Sequence, residues 1–227
     1  NHVTKGPLLS EFASVVRGVA TGANDFFFLT TARARELDLP EDFLVRAVGR
    51  TRDIAGDTID QRTLADLDTA GRPTLLFSPD GRPIHMFPSA VQRYLRCGEE
   101  AGLPVRPLIA TRNPWYKMEV RSAPPILFAY LGRRRARFIR NIAGVVPLTG
   151  FLCVYSHCSD VEFITGLWDV LRHPQCLANL PQVGKSYGSG AIKVEPRALE
   201  RLALPADLVE EHGLSRHLMG SQLALAI

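Results

Sequence analysis

The apolar residues of this chain come in short runs, among them FASVV, FFFL, TLLF, ILFAYL and FLCVYS, each bounded by polar residues, glycine or proline. Runs of that length suit β-strands better than long helices, and strands must pair with one another before they can be buried. The stretch VVRGVATGANDFFFL, residues 15–29, reads as two such strands joined in a hairpin. Gly18 and Gly22 assist its turn, with Thr21, Asn24 and Asp25 at the tip. PTLLFSPDGRP is a strand closed by a Pro-Asp-Gly turn, and PPILFAYLGRRRARFIRN is a pair of strands around a basic turn.

Helices are inserted between these strands. TTARAREL starts on Thr30 or Thr31 as a cap. PSAVQRYLRCGEEAG carries Val91, Tyr94 and Leu95 at helical spacing. SDVEFITGLWDVLRHP opens with Ser159 and Glu162 in capping-box spacing. Val161, Ile164, Trp168 and Leu171 then share a face, and Pro174 ends the helix. PRALERL is a short helix with Pro196 in its first turn. VRPLIATRNPWYKMEV reads as loop and strand around Trp115, while residues 50–73 are polar and carry weak signals. The expected architecture is α+β: mostly antiparallel strands and hairpins with inserted short helices, in one unit spanning 1–227.

With 227 residues, 46% hydrophobic, the chain has ample material for a core. No apolar run reaches about 18 residues, so no transmembrane helix is expected. The opening NHVTKGPLL lacks an apolar signal core and does not begin on Met, which reads as a processed or excised start. The four cysteines, Cys97, Cys153, Cys158 and Cys176, do not suit a secreted disulfide scaffold, and a cytoplasmic setting is expected.

Charge is unevenly placed. Residues 106–140 hold nine basic side chains against one acid, Glu119, a net of +8. The whole chain carries +4, so the remainder is −4. A concentrated basic segment is the electrostatic signature of phosphate contact, with a solvated turn as the plainer reading. In RFIR, alternation puts Phe138 and Arg140 on one strand face and Ile139 on the other.

Four motifs bear on chemistry. The glycines of VVRGVATGANDFFFL do not spell Gly-x-Gly-x-x-Gly, and no Gly-Lys-Ser/Thr closes the loop. It reads as a structural hairpin, a hairpin offering polar groups to a ligand, or a distant echo of a methyltransferase cofactor loop. In ATRNPWYK, three positions match the Asn-Pro-Pro-Tyr/Phe of adenine methyltransferases, but Trp115 replaces the second proline. The alternatives are a buried Trp-Tyr anchor and aromatic and cationic contacts with nucleic acid. Cys153, Cys158, His173 and Cys176 have unusual spacing for zinc and suit buried thiols better, so no metal is expected. KSYGSG offers backbone N–H groups and Lys185 to a phosphate, or is a flexible loop.

In order along the chain, RGVATGANDFFFL, NPWYK, PPILFAYLGRRRARFIRN and YGSGAIKVEPRALERLALP resemble the C-terminal target-recognition region of adenine-specific DNA methyltransferases of the Eco57I and TaqI kind. The resemblance implies a DNA-binding, target-reading module of a restriction-modification enzyme. An upstream domain of the same polypeptide would bind S-adenosylmethionine and carry catalysis, so this chain would hold neither cofactor nor catalytic residue. Its partners would be double-stranded DNA and that upstream domain, with no membrane. DNA-contact candidates are Arg17, Thr21, Asn24, Arg112, Trp115, Tyr116, Lys117, Arg133, Arg134, Arg135, Arg137, Arg140, Lys185, Tyr187 and Lys193. The alternatives are a self-contained small methyltransferase and a protein-interaction scaffold with a basic patch.

Overall fold

The strand-length runs pair into two sheets, and glycines line the seam where the chain crosses between them. The computed structural model describes residues 6–119, 121–129, 136–186 and 192–216, with the backbone alone at Lys185, Ser186, Ile192 and Lys193. In chain order the elements are β1 Ala13–Arg17, α1 Asn24–Phe27, β2 Phe28–Leu29, α2 Thr31–Glu36, β3 Leu44–Val48, β4 Thr58–Ile59, α3 Gln61–Thr69, β5 Leu75–Phe77 and α4 Ser89–Glu100. There follow β6 Ile126–Ala129, β7 Arg137–Asn141, β8 Val146–Pro147, β9 Phe151–Ser156, α5 Val161–Arg172, α6 Pro174–Leu177, α7 Leu180–Val183, β10 Lys185–Ser186, β11 Ile192–Lys193, α8 Pro196–Leu199 and α9 Ala206–Glu211.

The first sheet runs β1-β9-β6-β7-β4 and the second β2-β5-β3-β8, with β10 and β11 as a separate pair. Pairing is antiparallel except at β4 on β7 and β8 on β3. The α+β expectation holds.

Period-two alternation explains the first sheet. Ile126, Phe128 and Phe138 point to one cluster, together with Phe163, Leu167 and Val170 of α5. Leu127, Ala129 and Ile139 point to another, closed by Ile54, Ile59, Leu64 and Leu67 around β4 and α3. A strand covered on both faces reads as a continuous apolar run, which is what ILFA is. Phe138 and Ile139 take opposite faces as alternation requires. The β6–β7 pair is present as expected, and its connecting residues 130–135 lie outside those described.

The second sheet packs on an aromatic cluster. Phe26 stacks on Tyr94 of α4 at 4.3 Å between centroids, and Phe77 meets Tyr94 edge-on at 5.3 Å. Such pairs add to simple area burial because ring edges and faces carry opposite partial charge. The Tyr94 hydroxyl donates to the Phe26 carbonyl at 2.7 Å, and burial pushes its pKa up to about 12.

Residues 15–29 do not form a hairpin. β1 pairs with β9 in the first sheet, while β2 pairs with β5 in the second. A helical turn, α1, stands where the second strand was expected to begin. The cause is packing: Phe26 and Phe27 enter the aromatic cluster, and a helical turn directs both rings inward. Further differences concern α5, the Trp115 segment and residues 50–73. The N-cap of α5 is Asp160, accepting from the Glu162 and Phe163 N–H groups at 2.8 and 2.9 Å, not Ser159. Its buried face is Phe163, Ile164, Leu167, Val170 and Leu171, with Val161 exposed and Trp168 half-buried. Around Trp115 there is no strand: Ile109–Thr111 is a 3-10 turn followed by loop. The weakly signalled segment hides α3, which starts on Asp60 with the Thr63 N–H donating to it at 2.8 Å.

Candidate nucleic-acid interface

The opening loop is an internal crossing. Thr21 is 3% exposed; its hydroxyl accepts from the Ala23 N–H at 3.1 Å and donates to the Asn24 side chain. The expectation that Thr21 is presented at a turn is therefore corrected, whereas Asn24 is exposed. Gly22 adopts φ +76° with Ile109 packed against it. Gly18 lies under the main chain of residues 147–148, and α1 is a single turn of four residues. Spent hydroxyl, covered glycine and one-turn helix do not make a cradle for S-adenosylmethionine, so the cofactor-loop reading fails on geometry. Residues 20–25 face a shallow, open hollow that does not enclose a small molecule.

The Asn-Pro-Trp-Tyr segment is a packing anchor. Trp115 meets Phe27 at 6.3 Å and Tyr116 at 5.6 Å. Tyr116 is 3% exposed and its hydroxyl donates to the Arg82 carbonyl at 2.6 Å. Its ring offers no free face for stacking on a base, which corrects that expectation; Trp115 remains half-buried and Asn113 exposed.

The basic segment changes character on folding. Arg112 donates to the Ala20 carbonyl at 2.6 Å and lies 5.7 Å over the Phe27 ring. Its Nη1 is buried with no partner among the described residues, and burial draws its pKa down. Arg121 pairs with Glu119 and donates to the Arg17 carbonyl. Arg137 donates to the carbonyls of Ile54 and Ala55, and Arg140 to that of Pro125 at 2.9 Å. Four arginines thus brace the fold through main-chain carbonyls, and Arg112 does so with its guanidinium partly buried. Arg106 sits 3.5 Å from Asp25, Arg17 pairs with Glu195, and Lys117 is exposed with its stem beside Gly81. Arg133, Arg134, Arg135 and Tyr187 lie outside the described residues, and for Lys185 and Lys193 only the β10–β11 backbone pairing is described.

The structure adds two arginines to which the sequence alone assigns no role. Arg50 and Arg52 are exposed on the β3–β4 crossing, whose later residue Ile54 is bound by Arg137 at the start of β7. The signal that could have found them was the Asp60-x-x-Thr63 cap, which fixes the start of α3 and so bounds the polar stretch that precedes it.

Among the described residues no group of three or more His, Cys, Asp or Glu could hold a metal ion. Cys153 is a sheet-core residue of β9 and Cys176 belongs to the α5 cluster; burial pushes both thiols up to about 12. At pH 8 such thiols are almost entirely protonated and shielded, so they react slowly. In the folded protein a colourimetric thiol reagent is expected to modify Cys97, which is exposed, and Cys158 slowly. All four should react in guanidinium. Rapid reaction of all four in the native protein would contradict this packing.

Comparison with known proteins gives the architecture a family. The chain matches the family model for the C-terminal domain of type II methyltransferase M.Eco57I over residues 3–222. It is 28% identical over 195 residues to type II methyltransferase M.AccI of Acinetobacter calcoaceticus, covering 85% of this chain and 35% of that protein. It is similar in fold to the type IIG restriction endonuclease BpuSI, with a TM-score of 0.56 at 16% identity, over 93% of this chain and 26% of that one. The chain therefore spans well under half the length of either relative. With one family model accounting for residues 3–222, this chain belongs to the family of type II methyltransferase C-terminal domains represented by M.Eco57I.

Proposed function

We propose that the chain is the DNA-binding and target-reading module of an adenine-specific DNA methyltransferase or restriction-modification enzyme. It grips duplex DNA and presents it to an upstream domain of the same polypeptide, which transfers a methyl group from S-adenosylmethionine to adenine. The chain acts as a single module across 1–227 and binds no cofactor itself. The observation that carries this reading is the family match over residues 3–222. The concentration of basic residues in 106–140 supports it, because phosphate neutralisation supplies most non-specific affinity for DNA.

Fluorescence anisotropy with a mixed-sequence duplex tests it. Binding should weaken steeply between about 50 and 200 mM salt. Replacing Arg133, Arg134 and Arg135 by alanine should flatten the slope of log K against log salt by about 0.9 for each phosphate that is no longer neutralised. No binding at the lowest salt would refute the reading. Clear heat on titrating S-adenosylmethionine into this chain alone would favour a self-contained methyltransferase instead.

A further inference from the structure

The β3–β4 crossing is held from both ends. Val48 accepts from the Leu148 N–H at 2.8 Å, and the Gly49 carbonyl lies where a side chain on Gly150 would stand. Downstream, Ile54 is fully buried among Ile59, Leu127 and Ile139. Arg137, the first residue of β7, donates to the carbonyls of Ile54 and Ala55, and the Arg140 N–H donates to the Asp57 carbonyl at 2.8 Å. Between these anchors lie Arg50 and Arg52, both exposed and neither in an ion pair among the described residues. Eight other arginines do have a carboxylate within ion-pair reach.

The acids nearby do not cancel them. Asp53 is nearly buried and faces Arg72 at 3.9 Å, leaving Asp57 as the exposed carboxylate of the crossing. Arg50, Arg52, Arg72 and Arg137 against Asp53 and Asp57 leave this edge at +2. In sequence Arg50 and Arg52 belong to the part of the chain outside the basic segment; in space Arg137 joins the two.

The geometry points to a second phosphate-contacting edge for duplex DNA, made by Arg50 and Arg52 on the crossing that Arg137 braces at Ile54 and Ala55. This rests on the DNA-binding reading above. With the backbone already fixed, only side-chain freedom is lost when these guanidinium groups meet a phosphate, so the cost of ordering the loop does not offset the charge-assisted hydrogen bonds gained. They position the duplex and carry no sequence information.

The test uses the same anisotropy titration on the whole chain. The pair Arg50→Ala with Arg52→Ala is compared with Arg197→Ala with Arg201→Ala, an exposed pair of the same charge on and just after α8, which packs on β1 at the sheet edge opposite β4. Thermal melting checks that both variants fold like the parent. The expected result is a salt slope shallower by about 1.8 for the first pair, with the second pair close to the parent. If the parent binds and the first pair binds with an unchanged slope, the edge is refuted and the DNA-binding reading stands. If both pairs lose affinity equally, the effect is net charge alone and the edge is again refuted. If the parent itself fails to bind duplex, the underlying reading falls and this inference with it.

Discussion

Replacing Gly18 by alanine is expected to destabilise the domain by about 3 kcal/mol or more, lowering the melting temperature by roughly 6–12 °C for a chain of this size. The methyl group would stand 2.1 Å from the Leu148 carbonyl oxygen, 2.5 Å from its carbon and 2.7 Å from the Pro147 oxygen. All three atoms are main chain, so no side chain can swing aside. Relief requires β8 to move away from the end of β1. That movement strains the Val19 N–H bond to Pro147 at 2.9 Å, which joins the two sheets, and the Leu148 N–H bond to Val48 at 2.8 Å, which holds β8 on β3. Gly71→Ala is the control. Gly71 has φ +63° and nothing within 4 Å of the added carbon, so it suffers only backbone strain of about 1 kcal/mol. A Gly18→Ala protein melting at or above Gly71→Ala would show that the seam opens freely and that Gly18 is not required there.

The second large effect is at Asn141, which is 6% exposed at the end of β7. Its amide nitrogen donates to the carbonyls of Pro124 and Val145 at 2.8 and 2.9 Å, and its oxygen accepts from the Val145 N–H at 3.0 Å. One side chain thereby closes the turn into β8 and ties down the chain entering β6. Asn141→Leu keeps the branching at Cγ in a larger side chain and leaves two carbonyls and one N–H buried without partners, at an expected cost of about 3 kcal/mol in urea unfolding. Asn141→Asp retains the acceptor but sets a carboxylate against two carbonyl oxygens. Its folded-state pKa is raised, so the destabilisation is full at neutral pH and is relieved as the pH falls and the carboxyl regains a donor. A Leu variant within about 1 kcal/mol of the parent, or an Asp variant indifferent to pH, would show that these bonds matter little.

Much of the local structure was legible in the sequence. The strands at 126–129, 137–141 and 151–156 follow from apolar runs, α2 from Thr30 as cap, and α4 from the spacing of Val91, Tyr94 and Leu95. The misreadings share a cause. FFFL has strand composition, yet Phe26 and Phe27 adopt a helical turn because the rings they must meet, Phe77 and Tyr94, lie far along the chain. Trp115 and Tyr116 have the composition of a base-stacking pair, yet packing against the aromatic cluster claims them for the core. For the interface, charge density along the chain was a good guide to where arginines are, and a poor guide to what they touch.

By itself the sequence determined the fold class, the longer strands, the cap of α2 and, through its motifs, the family. Those depend on local periodicity and on short patterns that do not need long-range contacts. Only the tertiary structure decided that Gly18 is required for a close crossing of two sheets, and that Arg112, Arg121, Arg137 and Arg140 brace the fold. It alone tied the crossing that carries Arg50 and Arg52 to Arg137, through the carbonyls of Ile54 and Ala55. The physical reason is the same in each case: a main-chain carbonyl arriving from a remote strand leaves no mark in the residues around its partner.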